Sequence, residues 1–118
     1  MYIENAYEAP LESIVAHDGQ GQIQIGRIFR QEKLQAPWHF LEYLVVPPGA
    51  TIGEHRHGRD EEIYFILAGQ AEMTVNGTRH DVKPGDFILN RPGWAHSLRN
   101  ESSKDVKLLV IEVGIEDG

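Results

Sequence analysis

Two imidazoles and a carboxylate fall within eight residues of this chain, as His55-x-His57-x4-Glu62, bracketed by Gly49 and Gly69. A third imidazole, His96, follows one hairpin later in Gly85-x7-Gly93-x2-His96-x3-Asn100. Three nitrogen donors and one hard oxygen at this spacing form a ligand set for a divalent transition metal. Such a set suits Mn, Fe, Co, Ni, Cu or Zn and disfavours Ca or Mg, which take oxygen ligands. The chain contains no cysteine. Disulfides, thiolate ligands and a cysteine nucleophile are therefore excluded.

These donors meet only if particular elements carry them. Alternate residues of a strand point to one face, so His55 and His57 project together with Cα atoms about 6.6 Å apart. From there both nitrogens reach one ion at about 2.1 Å. Gly58-Arg59-Asp60 turns the chain, and Glu62 opens the next strand. His96 must arrive from a different strand, which a closed barrel achieves by curling its sheet around a common interior.

The remaining sequence supports this reading. Strand-prone runs cover 23–30, 40–46, 62–67, 72–75, 78–82, 87–89, 96–100 and 106–113, separated by Gly, Pro and Asn. Asn76-Gly77 between two such runs is a strong signal for a type I′ hairpin. No amphipathic helix of three turns is evident. Residues 8–16 offer at most a short helix, interrupted by Pro10. Strands at this spacing predict an all-β sandwich or barrel. The first twenty residues and the tail after Gly114 are the least determined.

At 118 residues the chain suits one domain. We expect a single domain over 1–118, with a barrel over about 22–113 and an N-terminal arm over about 1–21. The net charge of −7, without any basic block, argues against nucleic acid or an anionic membrane as partner. The N-terminus lacks a basic region followed by an apolar run. No apolar stretch approaches the ~18 residues of a membrane span. The expectation is a soluble, cytoplasmic protein.

The two glycine-framed segments resemble the two conserved motifs of the cupin superfamily. Gly49, His55, His57, Glu62 and Gly69 fall in register with the first motif, and Gly85, Gly93, His96 and Asn100 with the second. The resemblance covers roughly residues 40–113. One departure is visible: the motif usually has Pro two residues before its glycine, whereas Arg91 stands there and Pro92 is next to Gly93. Glu61 is the neighbouring alternative to Glu62, and the six-residue step to Gly69 favours Glu62. The resemblance implies a small antiparallel β-barrel, the double-stranded β-helix or jelly-roll of cupins, with His55, His57, Glu62 and His96 as metal ligands. It implies two neighbouring coordination positions left for water, dioxygen or a bidentate substrate. It also suggests a homodimer.

Alternation then nominates the lining. With Glu62 inward, Tyr64 and Ile66 face in, and from His96 so does Leu98. Phe40 and Glu42 share one face of their strand. Glu42 is read either as solvent-facing or as a partner of a ligand imidazole, and Tyr64 either as a donor to bound substrate or as a core tyrosine. These two are the candidate catalytic groups. Trp94 either walls the mouth or plugs the barrel end, and Arg27 is either exposed or a carboxylate anchor. His17, His39 and His80 read as surface or core residues, and Arg59-Asp60-Glu61 as a solvated loop. The expected function is a metal-dependent enzyme on a small oxygen-bearing metabolite, of dioxygenase or oxidoreductase type. A Lewis-acid isomerase, decarboxylase or lyase is the alternative mechanism, and a non-catalytic binding or sensor protein the alternative class.

Overall fold

The alternating, β-branched runs become ten strands in the computed structural model, which describes residues 2–115. In chain order they are β1 (Glu12–Ile14), β2 (Ile23–Ile28), β3 (Trp38–Val46), β4 (Thr51–Arg56), β5 (Asp60–Ala68), β6 (Ala71–Val75), β7 (Thr78–Val82), β8 (Phe87–Asn90), β9 (Ala95–Arg99) and β10 (Val106–Gly114). Among the described residues there is no α-helix. The short helix that residues 8–16 could at most have offered does not form. A single 3-10 turn at Ala6–Glu8, capped by the Asn5 side chain, precedes Pro10, and the chain then extends into β1.

The strands form a six-stranded sheet, β1-β2-β3-β10-β5-β8, and a four-stranded sheet, β4-β9-β6-β7. All pairings between strands are antiparallel. This is the jelly-roll architecture, with the two sheets enclosing one interior. The β6–β7 hairpin turns at Asn76 and Gly77 with φ of 47° and 86°. Two successive positive φ values are the signature of the type I′ turn that Asn-Gly favours.

Inward side chains on the central strands run from apolar to polar. On β3, β10 and β5, Val46, Val106, Leu108, Leu44 and Ile66 fill one end and pack with Ile52, Met73 and Leu98 of the opposite sheet. Towards the other end the cross-strand register brings Val110 beside both Glu42 and Tyr64, and then Glu112 beside Glu62. The apolar end removes most of the hydrocarbon from water and supplies the main driving force. It thereby holds the polar end in place.

Asn100 closes the apolar end. Its buried amide donates to the carbonyls of Val46 at 2.8 Å and Lys104 at 2.7 Å. Its Oδ1 accepts from the Ser102 backbone N–H at 2.9 Å and from the Ser102 hydroxyl at 2.7 Å. Removing the side chain strands one buried carbonyl and several part-buried partners, at about 1 kcal/mol each. Asn100→Ala should therefore lower the unfolding free energy by about 2–4 kcal/mol in urea denaturation. A loss below about 1 kcal/mol would show that the β9–β10 loop is held in another way.

Candidate metal centre

His55 and His57 reach the interior through an irregularity in β4. The ladder to β9 pairs Thr51 with Arg99 and Ile52 with Leu98, but then His55 with His96. One extra residue is thus accommodated in β4 around Gly53 and Glu54, a β-bulge. Ile52 faces in on an even number. After the bulge His55 and His57 face in on odd numbers, while Glu54 and Arg56 are exposed. The Pro92-Gly93 variation leaves His96 in register. Gly93 takes a φ of 80°, the Gly93 N–H donates to the His57 carbonyl at 2.9 Å, and the His57 N–H donates to the Trp94 carbonyl at 3.0 Å.

The donor atoms converge. His57 Nε2 lies 2.9 Å from His96 Nε2, and His96 Nε2 lies 2.7 Å from His55 Nε2. Glu62 Oε1 is 3.0 Å from His96 Nε2, 3.2 Å from His57 Nε2 and 4.0 Å from His55 Nε2. Bonds of about 2.1 Å in an octahedron put neighbouring donors about 3.0 Å apart and opposite donors about 4.2 Å apart. The observed spacings match those edges, with His55 and Glu62 closest to opposite. Glu62 Oε1 is also a buried acceptor with no hydrogen bond among the described residues. Such an atom, ringed by three imidazole nitrogens, calls for a cation. The four residues form a group that can hold a metal ion.

Two imidazoles are turned as ligands by their rear nitrogens. His55 Nδ1 is 3.0 Å from the Gly53 carbonyl, which only accepts, so Nδ1 carries the proton and Nε2 presents a lone pair. His57 Nδ1 faces Asp60 Oδ2 at 3.1 Å and Glu112 Oε1 at 3.3 Å. His96 Nδ1 is buried without a partner among the described residues. Burial, and then neighbouring imidazoles, push His96 down to about 3. Burial likewise pushes His55 down to about 4, against the Gly53 hydrogen bond. Both rings are neutral at pH 7. Burial also lowers His57, but the hydrogen bond to Asp60 and the charges of Glu62, Asp60 and Glu112 outweigh it and raise it overall. Burial pushes Glu62 up to about 7.

The acids behind His57 correct one expectation. Asp60 is not part of a solvated loop. It opens β5 and turns its carboxylate onto His57, hydrogen-bonded to Glu112 from β10. Burial and that shared hydrogen bond raise Glu112 to about 7. His39, half-exposed at the surface, bonds Glu112 Oε2 at 3.0 Å. A row of polar groups thus leads from solvent to the rear of a ligand. Glu42 is corrected as well. It is buried rather than solvent-facing, and its charged partner is Arg27 at 3.6 Å rather than a ligand imidazole. The sequence offered no sign of the Asp60–Glu112 pair beyond the placement of two acids near strand ends.

A cavity of about 250 Å³ adjoins the centre, with His55 and Glu62 on its wall. Phe40, Glu42, Tyr64 and Arg27 line it, together with apolar side chains of β2 and of the segment before it. Ile66 and Leu98 lie in the core cluster instead, and Trp94 is partly exposed away from this cavity. Tyr64 is buried with its ring 5.1 Å from that of His96 and its hydroxyl bonded to Glu62. Burial, reinforced by the charges of Glu62, Glu42 and Glu112, raises it well above the usual tyrosine value, so it remains a donor. One residue escaped notice in the sequence. Asn90 is fully buried, pairs across strands with Glu62, and has no hydrogen bond on its amide among the described residues. His17, read from the sequence as a surface or core residue, stacks on His55 with centroids 3.6 Å apart and planes at 10°.

Fold and site together define a jelly-roll barrel with a three-histidine, one-glutamate group inside it. The chain belongs to the Cupin domain family (Cupin_2), whose model matches residues 42–112. It is 28% identical over 93 residues to an oxalate-binding protein of Thermotoga maritima, covering 79% of this chain and 77% of that protein. It is 34% identical over 76 residues to a 5-nitrosalicylic acid 1,2-dioxygenase of a Bradyrhizobium, covering 64% of this chain but only 36% of that protein. A crystal structure from Thermotoga maritima, described as a predicted oxalate decarboxylase, superimposes with a TM-score of 0.92 at 25% identity over 96% of this chain and 99% of that one.

His57→Ala should lose stoichiometric metal by elemental analysis while circular dichroism stays that of the folded β-protein. His39→Ala should keep its metal. Asp60→Asn should load metal with affinity about 10–100-fold weaker, because it loosens the hold on the His57 ring. Full metal retention by His57→Ala would refute the ligand assignment.

Proposed function

We propose that this protein is a metal-dependent enzyme acting on a small oxygen-bearing metabolite, of the dioxygenase or oxidoreductase type. The carrying observation is the four-donor cluster opening on a small, mainly apolar cavity. His55, His57, Glu62 and His96 would hold the ion. A bound divalent transition metal supplies Lewis acidity and, for Fe, Mn, Ni or Cu, redox chemistry with dioxygen.

The residues around it have definable tasks. The apolar wall receives the hydrocarbon part of the metabolite and excludes water. Arg27, whose guanidinium also lies 5.9 Å from the centre of the Phe40 ring, offers a charge for a carboxylate. Tyr64 keeps its proton and braces Glu62. The similarity to a 5-nitrosalicylic acid 1,2-dioxygenase and to an oxalate-binding protein supports a small oxygen-rich molecule as ligand.

One observation favours a second reading, Lewis-acid decarboxylation, elimination or isomerisation. Glu42 is a buried carboxyl on the cavity wall, raised above the usual value by burial and then lowered in part by Arg27. A carboxyl so placed can carry a proton to or from a bound molecule. A binding protein without turnover is the third reading. We further propose a cytoplasmic homodimer. Exposed large apolar side chains support the dimer, among them Phe87 at 71% and Tyr7 at 68%.

Protein reconstituted anaerobically with Fe(II), Mn(II), Ni(II) or Cu(II) should consume oxygen in the presence of substrate, in a panel of small hydroxy-acids, enols and dicarboxylates. Glu62→Gln should abolish that uptake. Turnover that is unchanged without oxygen selects the Lewis-acid reading, and ligand recovered unaltered selects the binding protein. Light scattering should give a mass near twice 13.3 kDa, and a clean monomer would refute the dimer.

A further inference from the structure

The segment before β2 builds one wall of the cavity, contributing Ile14, Val15, Ala16 and His17 to its lining. It is tied down along β4. The Ala16 carbonyl accepts from the N–H groups of Gly53 at 3.0 Å and Gly19 at 2.9 Å. The Thr51 N–H donates to the Gln20 carbonyl at 2.8 Å, and the Gln20 N–H donates to the Thr51 hydroxyl at 2.7 Å. A Cβ at Gly53 would collide with the His17 carbonyl, so the two backbones touch only because that residue is glycine.

This docking imposes an unusual conformation. His17 and Asp18 sit at φ of 49° and 56°, two successive non-glycine residues in the left-handed region. Each costs conformational energy relative to glycine. Strain of this kind persists where the surroundings enforce it, and it concentrates where a side chain must be presented in one place. Here the side chain presented is an imidazole, laid flat on the ring of His55. The four ligand atoms converge without it. His17 lines the same cavity as His55 and Glu62, so its imidazole stands on the cavity side of the centre.

We infer that His17 is a ligand-contacting residue: it donates a hydrogen bond to a metal-bound oxygen ligand through an oxygen that the metal leaves free. This rests on the metal reading of the preceding subsection and adds to it a specific contact and a ligand class, small oxyanions. His17 and Arg27 are both donors on the cavity wall, whereas the Tyr64 hydroxyl is engaged by Glu62. An acceptor-rich ligand complements such a wall. The N-terminal segment is on this account part of the binding site rather than packing around it.

The test uses the full chain loaded with Co(II), and oxalate as the probe, because oxalate has two oxygens for the metal and two to spare. Saturable changes in the visible Co(II) spectrum report binding. His17→Phe keeps a ring on His55 but has no donor, and His17→Gly removes the ring while relieving the left-handed strain. Both variants should take up one Co(II) per chain and bind oxalate at least tenfold more weakly than the wild type. His17→Gly should melt no lower than the wild type, which separates lost contact from lost fold. His17→Gln, which restores a donor, should recover part of the affinity. Oxalate affinity of His17→Phe within twofold of wild type would overturn the inference. So would a Co(II)-loaded wild type that gives no oxalate response. Failure of the wild type to take up Co(II) would instead sink the metal reading and this contact with it.

Discussion

The structure depends on one confrontation of charges and lone pairs. A buried carboxylate oxygen and three imidazole nitrogens are held within 4.8 Å of one another, at the polar end of a closed barrel. Such a cluster is costly to bury on its own, since each group has left water without gaining a conventional partner. What compels the approach is the apolar end, where Val46, Ile66, Leu108 and Leu98 pack across the two sheets. The same strands carry both ends. The packing of one fixes the positions of the other, and a cation is the natural resolution of the conflict.

The three imidazoles are chemically alike in sequence but not in the fold. His57 is backed by two carboxylates, His55 by a peptide carbonyl and His96 by nothing among the described residues. A carboxylate behind a ligand ring raises its basicity and fixes its orientation more strongly than a carbonyl does. The barrel therefore supplies three donors of graded strength from one residue type. His39 extends the strongest of these arrangements to the surface through Glu112.

Much of this was legible in the chain. Glycine and Asn-Gly punctuation marked the turns because those residues alone enter left-handed backbone cheaply. The spacing of His55, His57, Glu62 and His96 marked the centre because strand alternation has a fixed period. What stayed hidden depended on contacts between residues far apart in sequence. Asp60 read as loop because Gly58 and Arg59 precede it, yet β10 pairing draws it into a strand opposite Gly114, two residues along from Glu112. Glu42 read as exposed on the usual preference of carboxylates for water, a preference overridden here by Arg27 across the β2–β3 ladder. His17 carried no local signal, since its place is set by backbone docking on β4.

The bulge at Gly53–Glu54 makes backbone regularity a chemical variable at one point. Ile52 and His55 are an odd number of residues apart, yet both face in, because one extra residue is taken up between them. Were β4 to run as an unbroken strand through Gly53 and Glu54 at the same length, alternation from Ile52 would turn both histidines to the outer face, and Glu54 and Arg56 would replace them inside. A barrel so altered could keep its apolar end and its outline while losing the centre outright. Within this architecture, the difference between a metal-bearing barrel and an inert one can therefore be one local irregularity of the backbone, with no ligand residue changed.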